Sequence, residues 1–269
     1  RCLGCRACEP VCPSGVPYGR LLEEARGVIR AVHRPDALQR GVLALFAWPR
    51  GLRLALWALR QLRRLRITGF LSRSSRLPQI VRRGLAMIAA TAPVLFAPTH
   101  APGTAKSKAQ AGEPHAVATS AGRKPNAPLQ VVHLDGCVQQ GLFAHVNRAS
   151  HAVLERNGCD LVTWSAGCCG ALHAHAGDLD SARRLARRNI SAFERSRADQ
   201  IVVNAAGCGA ALKDYGHWFE REPEWRARAL RFSACVRDIS ETLAELGPAT
   251  GAPLQLRVAL DPPCHLLHA

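Results

Sequence analysis

Apolar positions follow two different rhythms along this chain. In the first third they recur at three- and four-residue steps. Residues 17–33 read as one helix, and from Asp36 to about Leu71 the returning Leu, Val, Phe and Trp residues have the period of an amphipathic helix, broken at Pro49 and restarted at Arg50-Gly51. The longest apolar stretch, about 14 residues at 85–98, is interrupted by Pro93 and falls short of the about 20 residues that a membrane span needs. Residues 101–127 lose the pattern and are mostly Ala, Gly, Pro, Lys, Ser and Thr, a linker composition. Beyond them short apolar runs alternate with helical segments. Residues 130–134, 160–164, 200–204 and 254–260 read as strands; 143–157, 178–197, a stretch from about Ala210, and 236–246 read as helices. Asp178 stands where an N-cap belongs, and Gly158 and Gly247 stand just past helix ends. This alternation predicts an α/β domain with a largely parallel sheet.

A parallel sheet places all its strand carboxyl ends on one edge, where ligands bind. Cysteines follow each expected strand: Asp135-Gly136-Cys137, Gly167-Cys168-Cys169-Gly170, Gly207-Cys208-Gly209, and Asp261-Pro262-Pro263-Cys264-His265. Topology therefore predicts that Cys137, Cys168, Cys169, Cys208 and Cys264 converge on one rim. Several thiolates from separate loops favour a soft metal centre, and glycines beside them let backbone amides approach the sulfurs. The alternative is buried inert thiols, common for a single cysteine. Cys159 and Cys235 lie away from these loops, one before its strand and one near a helix start, and read as structural. His173 and His175 follow the paired cysteines and read as donors supporting the sulfurs, as a proton relay, or as polar loop histidines.

At the other end, Cys2, Cys5, Cys8 and Cys12, followed by Pro13, spell C-x2-C-x2-C-x3-C-P, the run that holds a [4Fe-4S] cluster in bacterial ferredoxins. Pro13 is expected in the first turn of a helix. Zinc sites pair two separated C-x2-C knuckles, and disulfide frameworks belong to secreted chains. In two-cluster ferredoxins the fourth cysteine serves the other cluster, so Cys2, Cys5 and Cys8 are expected to need a thiolate from an upstream repeat. With no initiating Met and a cysteine loop at each terminus, the chain reads as a fragment cut at both ends.

Charge sharpens the division. The net charge is +16, a value that first suggests nucleic acid. Residues 1–100 hold 17 Arg/Lys against 4 Asp/Glu, whereas residues 128–269 hold 15 of each. The excess belongs to the helical half, where Arg53, Arg60, Arg63, Arg64 and Arg66 share a polar face. That face fits a solvated helix, an anionic membrane surface or an acidic partner. Nucleic acid is disfavoured, because no recognition motif accompanies the charge. The eleven cysteines read as a metallothiolate set of a cytoplasmic protein, with a peripheral position on the inner face of the cytoplasmic membrane left open by the basic face.

The paired Cys168-Cys169-Gly170, with Cys137 before and Cys208 after, resembles the cysteine-rich CCG domain of heterodisulfide-reductase-like and glycolate-oxidase-like subunits. A ferredoxin-type motif, a helical segment and then CCG domains is the order in glycolate oxidase (glycolate dehydrogenase) iron–sulfur subunits. Residues 135–139, 168–173 and 204–210 look like that group, and residues 261–266 look like the opening of its second CCG repeat. The resemblance implies this organisation: 1–34, the second half of a ferredoxin-like 4Fe-4S domain; 35–100, a basic helical segment; 101–127, a linker; 128–253, a first CCG domain; and 254–269, the start of a truncated second one. It implies iron–sulfur clusters held by the nine cysteines of these loops, and electron transfer from an FAD-bearing partner subunit toward a quinone or other membrane acceptor. Lactate or glycerol-3-phosphate dehydrogenase subunits and heterodisulfide-reductase-like proteins are the neighbouring possibilities, and a zinc-stabilised interaction module is the alternative of another class. The family often ends its motif in C-x2-C; here Ala205 stands at the first of those positions, which leaves open a cubane, a non-cubane cluster or zinc.

Overall fold

The computed structural model describes residues 2, 4–33, 35–64, 73, 79–90, 128–253 and 255–268. The expected linker falls outside the described residues, as do Arg66 and the side chains of Arg53, Arg60, Arg63 and Arg64.

The N-terminal half is helical. Helix α1 spans Tyr18–Val32, α2 Ala37–Ala47, α3 Pro49–Arg64 and α4 Gln79–Ala90. The break at Pro49 occurs where the sequence places it, because proline opens a helix without missing an amide bond. Pro13 is different. It lies in a turn, and α1 begins only at Tyr18. The carbonyls of Arg6, Glu9 and Cys12 accept turn bonds from Glu9, Cys12 and Gly15 in succession, so the cysteine loop is a chain of turns rather than a helix start.

The second half is α/β. Strand β1 (Leu129–Leu134) is followed by α5 (Cys137–Leu142) and α6 (Ala144–Arg156). Next come β2 (Cys159–Leu161), α7 (Ala171–His175), α8 (Leu179–Ser196) and β3 (Gln200–Val203). Then follow α9 (Ala206–Lys213), α10 (Tyr215–Trp218), α11 (Pro223–Ala234), β4 (Val236–Asp238), α12 (Ile239–Leu246) and α13 (Cys264–His268). The sheet order is β2-β1-β3-β4, all pairs parallel, with Leu129 opposite Cys159, Leu134 opposite Val203, and Ile201 opposite Val236. Both faces of the central strands are covered, so β1 and β3 are mostly apolar. Val132, Leu134, Ile201 and Val203 pack on one face against Ala182, Ile190, Phe193, Tyr215 and Phe232. Val131, Leu129 and Val202 pack on the other against Leu154 and Cys159.

Two expectations are corrected. Residues 255–260 form no strand; they run exposed and unpaired. The fourth strand is instead Val236–Asp238, at the start of the segment read as one helix. Val236 is fully buried beside Ile201. Asp238 then caps α12, its side chain accepting from Ser240 while Glu241 accepts from the Asp238 amide. A capping box ends the strand and starts the helix in one residue. Cys235 consequently sits at the end of α11, its thiol directed to the Arg231 carbonyl, and Cys159 is a buried strand residue.

Helix α1 is fastened to the loops that follow the sheet. Arg20 pairs with Asp214 at 2.9 Å and Arg30 with Asp178 at 3.1 Å. Arg26 donates to the His175 carbonyl, and Trp218 donates from Nε1 to Glu23. The approach is closest at Gly177, whose φ is +75° and where a Cβ would stand 2.4 Å from the Arg26 carbonyl oxygen.

Candidate metal centre at the sheet edge

Three loops leaving the carboxyl ends of β1, β2 and β3 bring four thiols together. Cys137 opens α5, Cys168 and Cys169 end the loop after β2, and Cys208 lies in the first turn of α9. The sulfurs of Cys137 and Cys168 are 3.7 Å apart, and those of Cys169 and Cys208 are 3.3 Å apart. Two consecutive cysteines thus face two different partners. Gly170 makes this possible. Its φ is +87°, and a Cβ there would meet Trp218 at 3.3 Å and the Ala182 backbone at 3.4 Å. The same residue sends its amide back to the Cys168 sulfur at 3.4 Å.

A buried polar network fixes the loop. Asn189, fully buried on α8, accepts from the Gly167 amide at 2.9 Å and donates to the Cys168 carbonyl at 3.0 Å and to Tyr215 Oη at 3.1 Å. Tyr215, also fully buried, donates to the Cys169 carbonyl at 2.8 Å. Burial pushes its phenol well above the ordinary value, so it stays a donor. Tyr215 in turn stacks on Phe232, with ring centres 5.2 Å apart.

The electrostatics suit a cationic occupant. Cys168 is held far below an ordinary thiol by hydrogen bonds from Cys137 and Cys169, with the His173 imidazole and the Gly170 amide adding to the effect against burial. Cys169 and Cys137 are pushed well up, chiefly because each shares its proton with Cys168, and burial adds to this. Four thiols so close cannot all ionise beside one another without positive charge between them. The donor set fits a thiolate-bound metal or cluster.

The remaining residues read from the sequence are placed differently. Cys2, Cys5, Cys8 and Cys12 lie on the turns before α1, Cys2 and Cys8 exposed and the other two half-buried. The Gly4 amide points to the Cys2 sulfur at 3.3 Å, and amides of Val16, Ser14 and Gly15 lower the Cys12 thiol. Cys264 is exposed at the start of α13, which packs beside α9. Among the described residues no sulfur contact joins it to the other four, because the segment before it is not held by the sheet. His173 is buried and its Nε2 donates to the Leu43 carbonyl, linking α2 to the cysteine loop; His175 Nδ1 lies 3.3 Å from Glu23 on α1. A cleft is lined by Gly4, Arg6, Glu23, His175, Gly207 and His265.

Residues 131–213 match the family model described as the cysteine-rich domain, CCG. The chain carries a CCG domain. The match spans β1 to α9 and so takes in all four converging cysteines. The chain is similar to the probable glycolate oxidase iron–sulfur subunit of Bacillus subtilis (strain 168), 35% identical over 91% of this chain and 53% of that protein. It is similar to the glycolate oxidase iron–sulfur subunit of Escherichia coli (strain K12), 30% identical over all of this chain and 59% of that protein. A lactate utilization protein A from Exiguobacterium sp. (strain ATCC BAA-1283 / AT1b) is 28% identical over 53% of the chain and 58% of that protein. The chain therefore spans between half and three-fifths of the length of these relatives. No solved structure matches it. No helix among the described residues is long and apolar enough to cross a membrane.

One cluster escaped the sequence reading. His133 and Asp135 at the end of β1 meet His151 on α6. Burial works to raise the Asp135 carboxyl, but hydrogen bonds from the two imidazoles outweigh it and hold the group far below the carboxylate range. The His-x-Asp spacing at a strand end was the available signal; the third member lies 16 residues further on and is brought in only by the packing of α6 on β1.

Proposed function

We infer that the chain is the electron-transfer iron–sulfur part of an oxidoreductase complex acting on glycolate or a similar 2-hydroxy acid. The meeting of Cys137, Cys168, Cys169 and Cys208 at the edge of a parallel sheet carries this reading, and the names of the relatives at 30–35% identity supply the reaction class. An iron–sulfur cluster, when bound, supplies one-electron transfer at a potential set by its thiolates and the hydrogen bonds they accept. In this chain those four cysteines would hold one cluster, and Cys2, Cys5, Cys8 and Cys12 would contribute to others. The Gly170 amide would tune the Cys168 sulfur, while Asn189 and Tyr215 keep the loop in place. Substrate oxidation belongs to an FAD-bearing partner, and a quinone or other membrane acceptor takes the electrons. The arginine-rich stretch 53–66 would dock that partner or the inner face of the membrane.

The test is metal and sulfide counting on the full-length protein purified without oxygen with its partner subunits, together with electron paramagnetic resonance. The expected result is iron with acid-labile sulfide, one cluster signal disappearing in Cys168→Ser and Cys208→Ser while the signals of the N-terminal set persist. Zinc alone in the four-cysteine pocket would refute the reading in favour of a structural module.

A further inference from the structure

We propose that His133, Asp135 and His151 form a second metal site, built from nitrogen and oxygen donors, for a first-row divalent cation such as Zn2+. The site is separate from the thiol pocket and does not rest on the electron-transfer reading.

The three donor atoms make a nearly equilateral triangle. His133 Nδ1 lies 2.9 Å from Asp135 Oδ1, His151 Nε2 lies 3.1 Å from His133 Nδ1, and His151 Nε2 lies 3.2 Å from Asp135 Oδ1. Neighbouring ligands at about 2.0–2.1 Å from a zinc-like ion are themselves about 2.9–3.4 Å apart. All three sides fall within that interval.

Proton counting supports the same conclusion. Two ring nitrogens and a carboxylate oxygen make three contacts but offer at most two protons. With one nitrogen protonated, the other turns a lone pair toward the carboxylate. With both protonated, two N–H groups crowd onto one oxygen and face each other. A cation removes the conflict, because each atom then directs a lone pair at the same centre. With Nδ1 on the ion, His133 carries its remaining proton on Nε2, which is buried without a hydrogen-bond partner among the described residues.

The ligands are held before any ion arrives. Trp164 donates from Nε1 to the His133 carbonyl at 2.9 Å, and Asn147 donates to the Asp135 carbonyl at 2.8 Å. Asn147 and His151 are four residues apart on α6, so one helix face grips the loop and supplies a ligand. Access comes from one side only. The His133 side chain is 2% exposed, whereas those of His151 and Asp135 are 30% and 44% exposed. An ion there keeps coordination positions open to solvent, the arrangement of sites that bind water or an anion rather than of closed structural sites. Two imidazoles and a carboxylate also select differently from thiolates, so the two neighbouring sites need not compete for one metal.

The experiment uses the full-length protein with its cysteine-bound metal in place. Zinc binding is measured by equilibrium dialysis, with zinc and iron counted together, and the neighbours of the added zinc are read from its X-ray absorption. One added zinc per chain with only nitrogen and oxygen neighbours is expected. His151→Ala and Asp135→Asn should weaken binding by at least the about 10–100-fold that even outer-shell changes cost, with the cysteine-bound metal unchanged. His151 is the half-exposed member, so its removal spares the core; if that variant nonetheless loses its circular dichroism, the neighbours of zinc in the unaltered protein decide alone. No saturable zinc, sulfur neighbours around it, or binding unchanged in a folded His151→Ala protein would each overturn the proposal.

Discussion

Replacing Asn189 with leucine removes a side chain that holds the cysteine loop at two backbone groups. The volume is nearly kept, so the cost is polar rather than steric. The Cys168 carbonyl loses a 3.0 Å bond inside the protein and the Gly167 amide loses a 2.9 Å bond at its half-buried edge. A buried group left without a partner costs about 1–3 kcal/mol, and a bond lost where water can substitute costs about 1 kcal/mol. The Tyr215 hydroxyl keeps its own acceptor, the Cys169 carbonyl, and adds little. The sum is about 2–4 kcal/mol. Tyr215→Phe removes that bond and the acceptor of one Asn189 N–H, but leaves both Asn189 contacts to the loop backbone, and should cost about 1–3 kcal/mol. Because both residues act on consecutive carbonyls of one loop, the double variant should depart from additivity by more than about 0.5 kcal/mol. Urea denaturation of the metal-free protein measures all three, and the rate of metal loss to a chelator should rise in the same order. An Asn189→Leu protein within about 0.5 kcal/mol of the parent would refute the view that this network positions the thiols.

Gly177→Ala should cost clearly more than Gly158→Ala, since both have positive φ but only Gly177 faces a backbone carbonyl, and nothing lies within 4 Å of Gly158. Left-handed backbone alone costs about 1–2 kcal/mol; the excess at Gly177, seen as faster proteolysis of α1, reports its detachment, and equal costs would dismiss the contact. For Glu241, burial acts to raise the carboxyl, but the Lys213 ammonium and the Asp238 amide outweigh it and leave it lowered. Its contribution is present above the unfolded carboxylate value, about 4.3, and disappears as pH falls through the lower folded value. The stability difference between parent and Glu241→Gln should therefore narrow below about pH 4.3 in pH-resolved urea melts, and a difference that widens there would reverse the assignment. Changing Arg60, Arg63, Arg64 and Arg66 to Gln should weaken, most visibly at low salt, co-purification with a flavoprotein subunit or binding to anionic vesicles; unchanged association would remove the docking role of that face.

Much of the thiol pocket was legible because its cause is topological. Runs such as Gln130-Val131-Val132 and Ile201-Val202-Val203 declare strands, parallel strands share an edge, and cysteines placed after them must meet. The capped helix at Asp178 was readable for a local reason too, the Asp side chain accepting from the Ser181 amide. What failed was everything set by distant contacts. Val236-Arg237-Asp238 is too short to show a period, and becomes a strand only because Ile201 to Val203 offer an edge. Residues 255–260 carry a strand-like pattern but pair with no strand among the described residues. The role of Asn189 was equally hidden, since a lone Asn on a helix declares nothing until the Cys168 carbonyl lies above it. His133, Asp135 and His151 stayed unread for the same reason.

The way α1 is bolted down has a consequence for timing. Its polar contacts reach His175, Asp178, Asp214 and Trp218, which belong to the same connections that carry the thiols, while its own first turn follows closely on the N-terminal cysteines. These contacts restrain the span between the two sulfur sets. On the proposed electron-transfer role, such a restraint would narrow the spread of hopping rates between them.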